Sequence, residues 1–283
     1  MAARRTHSSA IRRVGLIQMA TVPATQSKNL VRRVLRRLLR RPQPADPSGL
    51  PPELATLTER EREIVRKATP YTMTTPERIV SVVDSVRYCV KRNIPGAFVE
   101  CGVWRGGSVM AMIYTLQELG RDDRDIYLFD TFEGMTAPTE IDTSPVDRPA
   151  LEWFRDVEGT EHRAFPHFFD ADVFNEDLVR RNVLGTGYPA GRLHFVRGRV
   201  EETLPAGAPE SIALLRLDTD WYESTRHEMV HLYPRLSRGG VLIVDDYGHW
   251  DGCRVAVDEY FATEAEPVLL ARIDYAGRIA VKQ

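Results

Sequence analysis

Four short apolar segments that each reach an acid at or near their C-terminal end constrain this chain more than any other feature. They are AFVEC (Ala97 to Cys101), IYLFD (Ile126 to Asp130), IALLRLD (Ile212 to Asp218) and GVLIVDD (Gly240 to Asp246). A fifth, RLHFV (Arg192 to Val196), shares their length and apolar character. Apolar runs this short read as strands buried on both faces. Helical periodicity fills most of the intervals, as in Ser108 to Leu119 and in the stretch carrying Ile79, Val82, Val83 and Val86, where Thr74 or Thr75 caps the start and Pro76 occupies the first turn. Alternation of this kind predicts an α/β fold with a parallel, doubly wound sheet.

The C-terminal segments PVLLARIDY and RIAVKQ flank Ala276-Gly277, a hairpin signal that adds an antiparallel strand at or near the sheet edge. A mostly parallel, seven-stranded sheet closing in such a hairpin favours the methyltransferase variant of the Rossmann-like fold over the dehydrogenase one. The globular domain is expected over residues 53–283, with a lid or insertion around 134–190 that holds aromatics, acids and a helix from about Asp172 to Leu184. A purely ornamental surface insertion is the competing reading of that stretch. A charged helix is expected near Leu54 to Lys67.

Residues 1–52 differ from the body. The first 45 carry ten arginines, Lys28 and no acid, so a net charge of −2 for the whole chain conceals about −13 on the remainder. Within them VRRVLRRLLRRP has helical spacing with a basic face, and a proline-rich linker follows. Packing on a partner subunit or on the acidic body is the leading expectation for this arm, with a frayed solvated arm and contact with an anionic membrane or nucleic acid as the competing readings; a homo-oligomer is expected, and nucleic acid is not an expected partner. No run has the roughly 18 to 20 apolar residues of a bilayer-spanning helix, so integral membrane association is excluded. Cys89, Cys101 and Cys253 lack metal-ligand spacing and suit a reducing cytoplasm as free, buried thiols.

In open α/β sheets ligands bind beyond the carboxyl ends of the strands, which here are acidic. Glu100 precedes Gly102, Val103, Gly106, Gly107 and Ser108, where missing side chains and a helix N-terminus let backbone approach a ligand. This spacing is not the dinucleotide G-x-G-x-x-G. It is the wider one used by S-adenosylmethionine (SAM) enzymes, with the acid near the cofactor's ammonium end. Asp130 stands where an acid accepts from ribose hydroxyls, and Thr131, Phe132 and Gly134 extend the cleft wall.

The sharper signal is the pair of clusters Leu217-Asp218-Thr219-Asp220 and Val244-Asp245-Asp246-Tyr247, which follow strands expected to be neighbours. Strands sit about 4.8 Å apart. Converging carboxylates repel and raise one another's pKa unless a cation separates them. Asp218, Asp245 and Asp246 are therefore candidate ligands for Mg²⁺ or Mn²⁺; solvated helix caps are the alternative. Asp220 and His249 are the candidate bases, with Asp220 preferred. Trp221, Tyr222 and Trp250 stack on an acceptor or anchor the core. His162, His167 and His194 show no metal spacing, and His227 with His231 is read as a solvent-facing pair.

The blocks YTMTTPERI, VECGVWRGGSVMAM, YLFDTFEGM and LRLDTDWYEST through VDDYGHW together resemble the macrocin O-methyltransferase family over roughly Tyr71 to Gln283. The resemblance implies a SAM-dependent and Mg²⁺-dependent O-methyltransferase acting on a small-molecule hydroxyl, often of a deoxysugar on a macrolide or related antibiotic. It also implies that Asp218, Asp245 and Asp246 hold the metal, Asp220 is the base, and the Glu100 to Ser108 loop with Asp130 binds SAM. Threonine at position 219 departs from the glycine of some relatives. A metal-independent methyltransferase and a non-catalytic SAM-binding scaffold are the alternatives.

Overall fold

The computed structural model describes residues 55–263 and 267–283; the basic arm and its linker lie outside them. Helix α1 (Glu59–Ala68) opens on a reciprocal capping box between Thr58 and Glu61, and α2 (Pro76–Lys91) on the Thr75 hydroxyl with proline in its first turn. Strand β1 (Ala97–Cys101), helix α3 (Gly107–Glu118) and strand β2 (Ile126–Asp130) follow. The insertion holds α4 (Ala150–Arg155), α5 (Pro166–Phe169) and α6 (Glu176–Leu184), three helices where one was expected. Asn175, not Asp172, caps the last of them. Then come β3 (Leu193–Arg197), α7 (Val200–Thr203), β4 (Ile212–Leu217), α8 (Tyr222–Leu232), β5 (Leu236–Val244), α9 (Asp251–Thr263) and the hairpin of β6 (Ala271–Arg272) and β7 (Arg278–Val281).

The strands form one seven-stranded sheet in the order β3-β2-β1-β4-β5-β7-β6, in which only β7 runs antiparallel to its neighbours. Successive side chains of a strand alternate between faces. Phe98, Leu214 and Ile243 accordingly join Val82, Val83 and Ile113 of α2 and α3 in one apolar layer. Val99, Leu215, Leu242 and Val244 join Met229, Leu232 and Val257 of α8 and α9 in the other. Both faces are covered, which is why these strands read as continuous apolar runs. Strand β5 begins at Leu236, four residues earlier than Gly240, because Leu236 pairs with Ile212 before the register shifts. All three cysteines are buried and free. Among the described residues no helix is long and apolar enough to cross a membrane.

Candidate active site

Parallel register decides which strand ends meet. Cys101 pairs with Leu217 and Leu217 with Val244, so Asp218 and Asp245 emerge side by side at the carboxyl edge. Two hydrogen bonds continue the ladder one step further, from Asp218 N to Cys101 O and from Asp245 N to Leu217 O, both 2.9 Å. One carboxylate oxygen from each of Asp218, Asp245 and Asp246 lies within 4.8 Å of the other two. Oδ2 of Asp246 is buried without a hydrogen-bond partner among the described residues. A buried oxygen of this kind is costly unless a cation or water meets it, and an all-oxygen trio suits Mg²⁺ or Mn²⁺. The three residues fit such an ion.

Two arginines that the motif reading passed over share this charge. Arg216 lies within β4, only 1% exposed, opposite Glu100 in the register with β1. Its Nη1 bonds Glu100 Oε1 and, at 2.7 Å, Asp218 Oδ2; its Nη2 lies 2.6 Å from Asp245 Oδ1. Arg78, one turn into α2, bonds Asp245 Oδ2 from Nη1 and Asp274 Oδ2 from Nε at 2.8 Å. The Thr74 hydroxyl donates to the same Asp245 oxygen at 2.9 Å. A signal for Arg216 existed: a lone charge inside the apolar run IALLRLD must have a partner once buried.

The electrostatics follow from this packing. Burial works to raise Asp245, yet the Arg216 and Arg78 guanidiniums hold it below the usual carboxylate range. Asp218 is half-buried; desolvation beside Asp245, only partly offset by Arg216, pushes it up to about 6. Asp220 and Asp246 are held well above the carboxylate range, first by burial and then by neighbouring acids. Glu100 is raised by burial to about 8 against the pull of Arg216.

The acids open on a cavity of about 410 Å³. Gly102, Val103, Ser108, Asp130 and Thr131 border it, whereas Gly106 and Phe132 do not. Glu100 is fully buried and turned onto Arg216. Asp130 organises the loop: Oδ2 accepts from Val103 N (2.7 Å) and Trp104 N (3.0 Å), and Oδ1 from Phe132 N (2.7 Å). At Gly102, φ is +79° and a Cβ would stand 1.9 Å from the Asp218 carbonyl oxygen, so only glycine lets the β1 and β4 ends approach this closely. Gly106 stands at the N-cap of α3 and provides no side-chain cap, leaving first-turn N–H groups for solvent or a ligand.

Asp220 takes a left-handed backbone, φ +68°, and its Oδ1 accepts from Trp250 Nε1 at 2.9 Å. His249 also borders the cavity, with Nδ1 2.9 Å from Tyr275 Oη; burial lowers its pKa and Asp147 opposes that. Trp250 lines the cavity, but Trp221 is an anchor: it is buried, stacked edge-on against Trp250, and donates to Thr136 O at 2.7 Å. Tyr222 bonds Glu259 at 2.7 Å. His227 and His231 are half-buried with ring centroids 4.4 Å apart, not a solvent-facing pair.

The insertion is hydrogen-bonded to the elements that border the site. Buried Asp142 accepts from Tyr222 N at 2.8 Å at the start of α8, and Ser144 Oγ donates to His249 O at 2.7 Å. Phe165, Phe168 and Phe169 supply an aromatic wall of the cavity.

Thr219 donates at 3.0 Å to Glu228 of α8, which is fully buried. Burial pushes the Glu228 carboxyl well above its ordinary 4.5, and Thr219 only partly opposes this. A carboxyl that ionises more readily unfolded than folded destabilises the fold as pH rises from the unfolded pKa towards the folded one. Glu228→Gln is therefore expected to raise Tm at pH 8 by about 3 °C and to give little gain at pH 4, where the carboxyl is mostly protonated in both states. Thermal melts at the two pH values check it; an equal shift at both would contradict the burial argument.

The macrocin O-methyltransferase (TylF) family model matches residues 27–281, nearly the whole chain. The chain belongs to that family. The match begins N-terminal to Tyr71, where the recognisable motifs start. The chain is 36% identical over 199 residues to the 8-demethyl-8-(2,3-dimethoxy-alpha-L-rhamnosyl)-tetracenomycin-C 4'-O-methyltransferase of Streptomyces olivaceus, covering 69% of this chain and 70% of that one. It is 33% identical over 195 residues to the demethyldecarbamoylnovobiocin O-methyltransferase of Streptomyces niveus, covering 69% of each. Among solved structures it is similar to the O-methyltransferase NovP, with a TM-score of 0.62 and 31% identity over 75% of this chain and 82% of that one. As a member of this family the chain is a SAM-dependent O-methyltransferase of Rossmann-like fold.

Proposed function

We propose that this methyltransferase transfers the SAM methyl group to a hydroxyl on a deoxysugar of a glycosylated secondary metabolite, a macrolide or related antibiotic, with Mg²⁺ as cofactor and Mn²⁺ able to replace it. The names of the relatives support the acceptor class, since they include enzymes acting on a rhamnosyl tetracenomycin and on mycinamicin III. The observation that carries the reading is the meeting of Asp218, Asp245 and Asp246 with Asp220 at one wall of an aromatic-lined cavity.

In this reading Asp218, Asp245 and Asp246 hold the cation and the loop from Gly102 to Ser108 with Asp130 and Thr131 holds SAM. A divalent cation held by these carboxylates would supply Lewis-acid polarisation of the acceptor hydroxyl. Asp220 accepts the hydroxyl proton at its carboxylate while the oxygen attacks the sulfonium methyl; the S–CH₃ bond breaks and S-adenosylhomocysteine leaves. Trp250 fixes the Asp220 carboxylate through Oδ1. Burial and the Asp218 charge raise Asp220 above the ordinary carboxylate range, which makes it a stronger proton acceptor than an exposed aspartate. Phe165, Phe168 and Phe169 exclude water and hold the acceptor near the donor.

One observation favours a second reading. Both oxygens of Asp245 are engaged by Arg216, Arg78 and Thr74, so the acids are partly neutralised by the chain's own cations. A metal-independent enzyme would use the remaining carboxylates to bind acceptor hydroxyls.

The test is methyl transfer from labelled SAM to a panel of glycosylated macrolides and aminocoumarins beside their aglycones, with the product located by mass spectrometry. Label on the sugar of a glycoside and none on aglycones is expected. SAM binding by calorimetry without transfer to any glycoside would instead identify a non-catalytic scaffold.

A further inference from the structure

We propose that Arg216 is a positioning residue that holds the donor loop and the divalent-cation site as one unit. The proposal rests on the cation reading above. A guanidinium that only balanced a buried charge would need one carboxylate. Arg216 touches three, on three adjacent strand ends: Glu100 within β1, Asp218 after β4 and Asp245 after β5. Glu100 itself faces this guanidinium in full burial, one residue before the Cys101–Gly102 turn that leads into the donor loop.

The backbone makes the three ends move together. Asp218 N bonds Cys101 O, and Gly102 sits against the Asp218 carbonyl. A displacement at Glu100 is therefore passed to Asp218, and through the other Nη to Asp245. The separation between loop and carboxylates sets how far a methyl donor stands from an acceptor oxygen, and small errors there are costly. Arginine is required because its planar fork presents several fixed donors, whereas lysine offers one compact charge. Charged groups that orient ligands from behind change affinity by about 10-fold to 100-fold when replaced.

Arg216→Lys keeps the charge and removes the fork. With folding verified by circular dichroism, S-adenosylhomocysteine affinity is measured by calorimetry in EDTA, and Mn²⁺ affinity by electron paramagnetic resonance without nucleoside. Both affinities are expected to fall by about tenfold or more, whereas Asp246→Asn weakens Mn²⁺ alone. The double variant E100Q/R216M, which replaces the buried pair by neutral side chains, is expected to lose both affinities as well and serves if the lysine variant does not fold. A folded variant that keeps both affinities, or loses only one, overturns the proposal, and so does failure of both variants to fold, which would assign Arg216 to stability. Wild-type protein that takes up no Mn²⁺ overturns the cation reading together with this coupling. Wild-type protein that binds both ligands beside an unchanged Arg216→Lys overturns the coupling alone.

Discussion

Asp220→Asn is expected to lower kcat by about 10³-fold, within the range of a lost general base, while leaving SAM affinity unchanged. Asparagine has the same shape and keeps an Oδ1 to accept from Trp250, so the left-handed turn at φ +68° and the indole contact survive. Only proton acceptance is lost. Wild-type kcat should rise with pH through a carboxyl titrating above its ordinary range, the direction that burial and the Asp218 charge impose on Asp220. That rising limb should vanish in the variant. His249 is the comparison: burial lowers the pKa of its imidazole, and Nδ1 is already engaged by Tyr275. A steady-state profile in which His249→Gln loses more rate than Asp220→Asn, or in which Asp220→Asn keeps the wild-type rate, would move the base to His249.

Removal of divalent cations is expected to cost about 10² to 10³-fold in rate, the equivalent of the several kcal/mol that a Lewis acid contributes. Dialysis against EDTA followed by assay in defined Mg²⁺ or Mn²⁺ should show the loss and its recovery. The reason lies in the charge balance of the strand ends. Of the five acids Glu100, Asp218, Asp220, Asp245 and Asp246, three pair with the guanidiniums of Arg78 and Arg216, and Arg78 is also shared with Asp274. The remaining negative charge is expressed in the raised carboxyls of Asp218, Asp220 and Asp246. A divalent ion would draw these back to the ionised form, so cation affinity should weaken as pH falls. Full activity in EDTA would leave Arg78 and Arg216 as the site's cations and establish the metal-independent reading.

The fold was legible to different depths in different places. Strands β1 and β2 match the short apolar runs at both ends, because strands covered on both faces are apolar at most positions. The start of α2 was legible from Thr75 and Pro76, since capping is a local property. The insertion was not: Asp142 caps α8 from eighty residues away, and no local pattern marks an acid for that task. Glu100 shows the same limit within the site. Its position after an apolar run marked it as facing the cofactor, whereas its side chain turns to Arg216, a partner visible only once β1 and β4 are placed side by side.

From the sequence alone it was determined that carboxylates would gather at one edge, because period and composition assign the strands and chain direction assigns their ends. Tertiary structure decided which of those carboxylates meet a guanidinium and which are left to a ligand. Arg78 and Asp245 are 167 positions apart, and Arg216 and Glu100 116. Contacts over such distances depend on sheet order and register, which arise from the summed burial of both apolar layers and are not carried by any short stretch of residues.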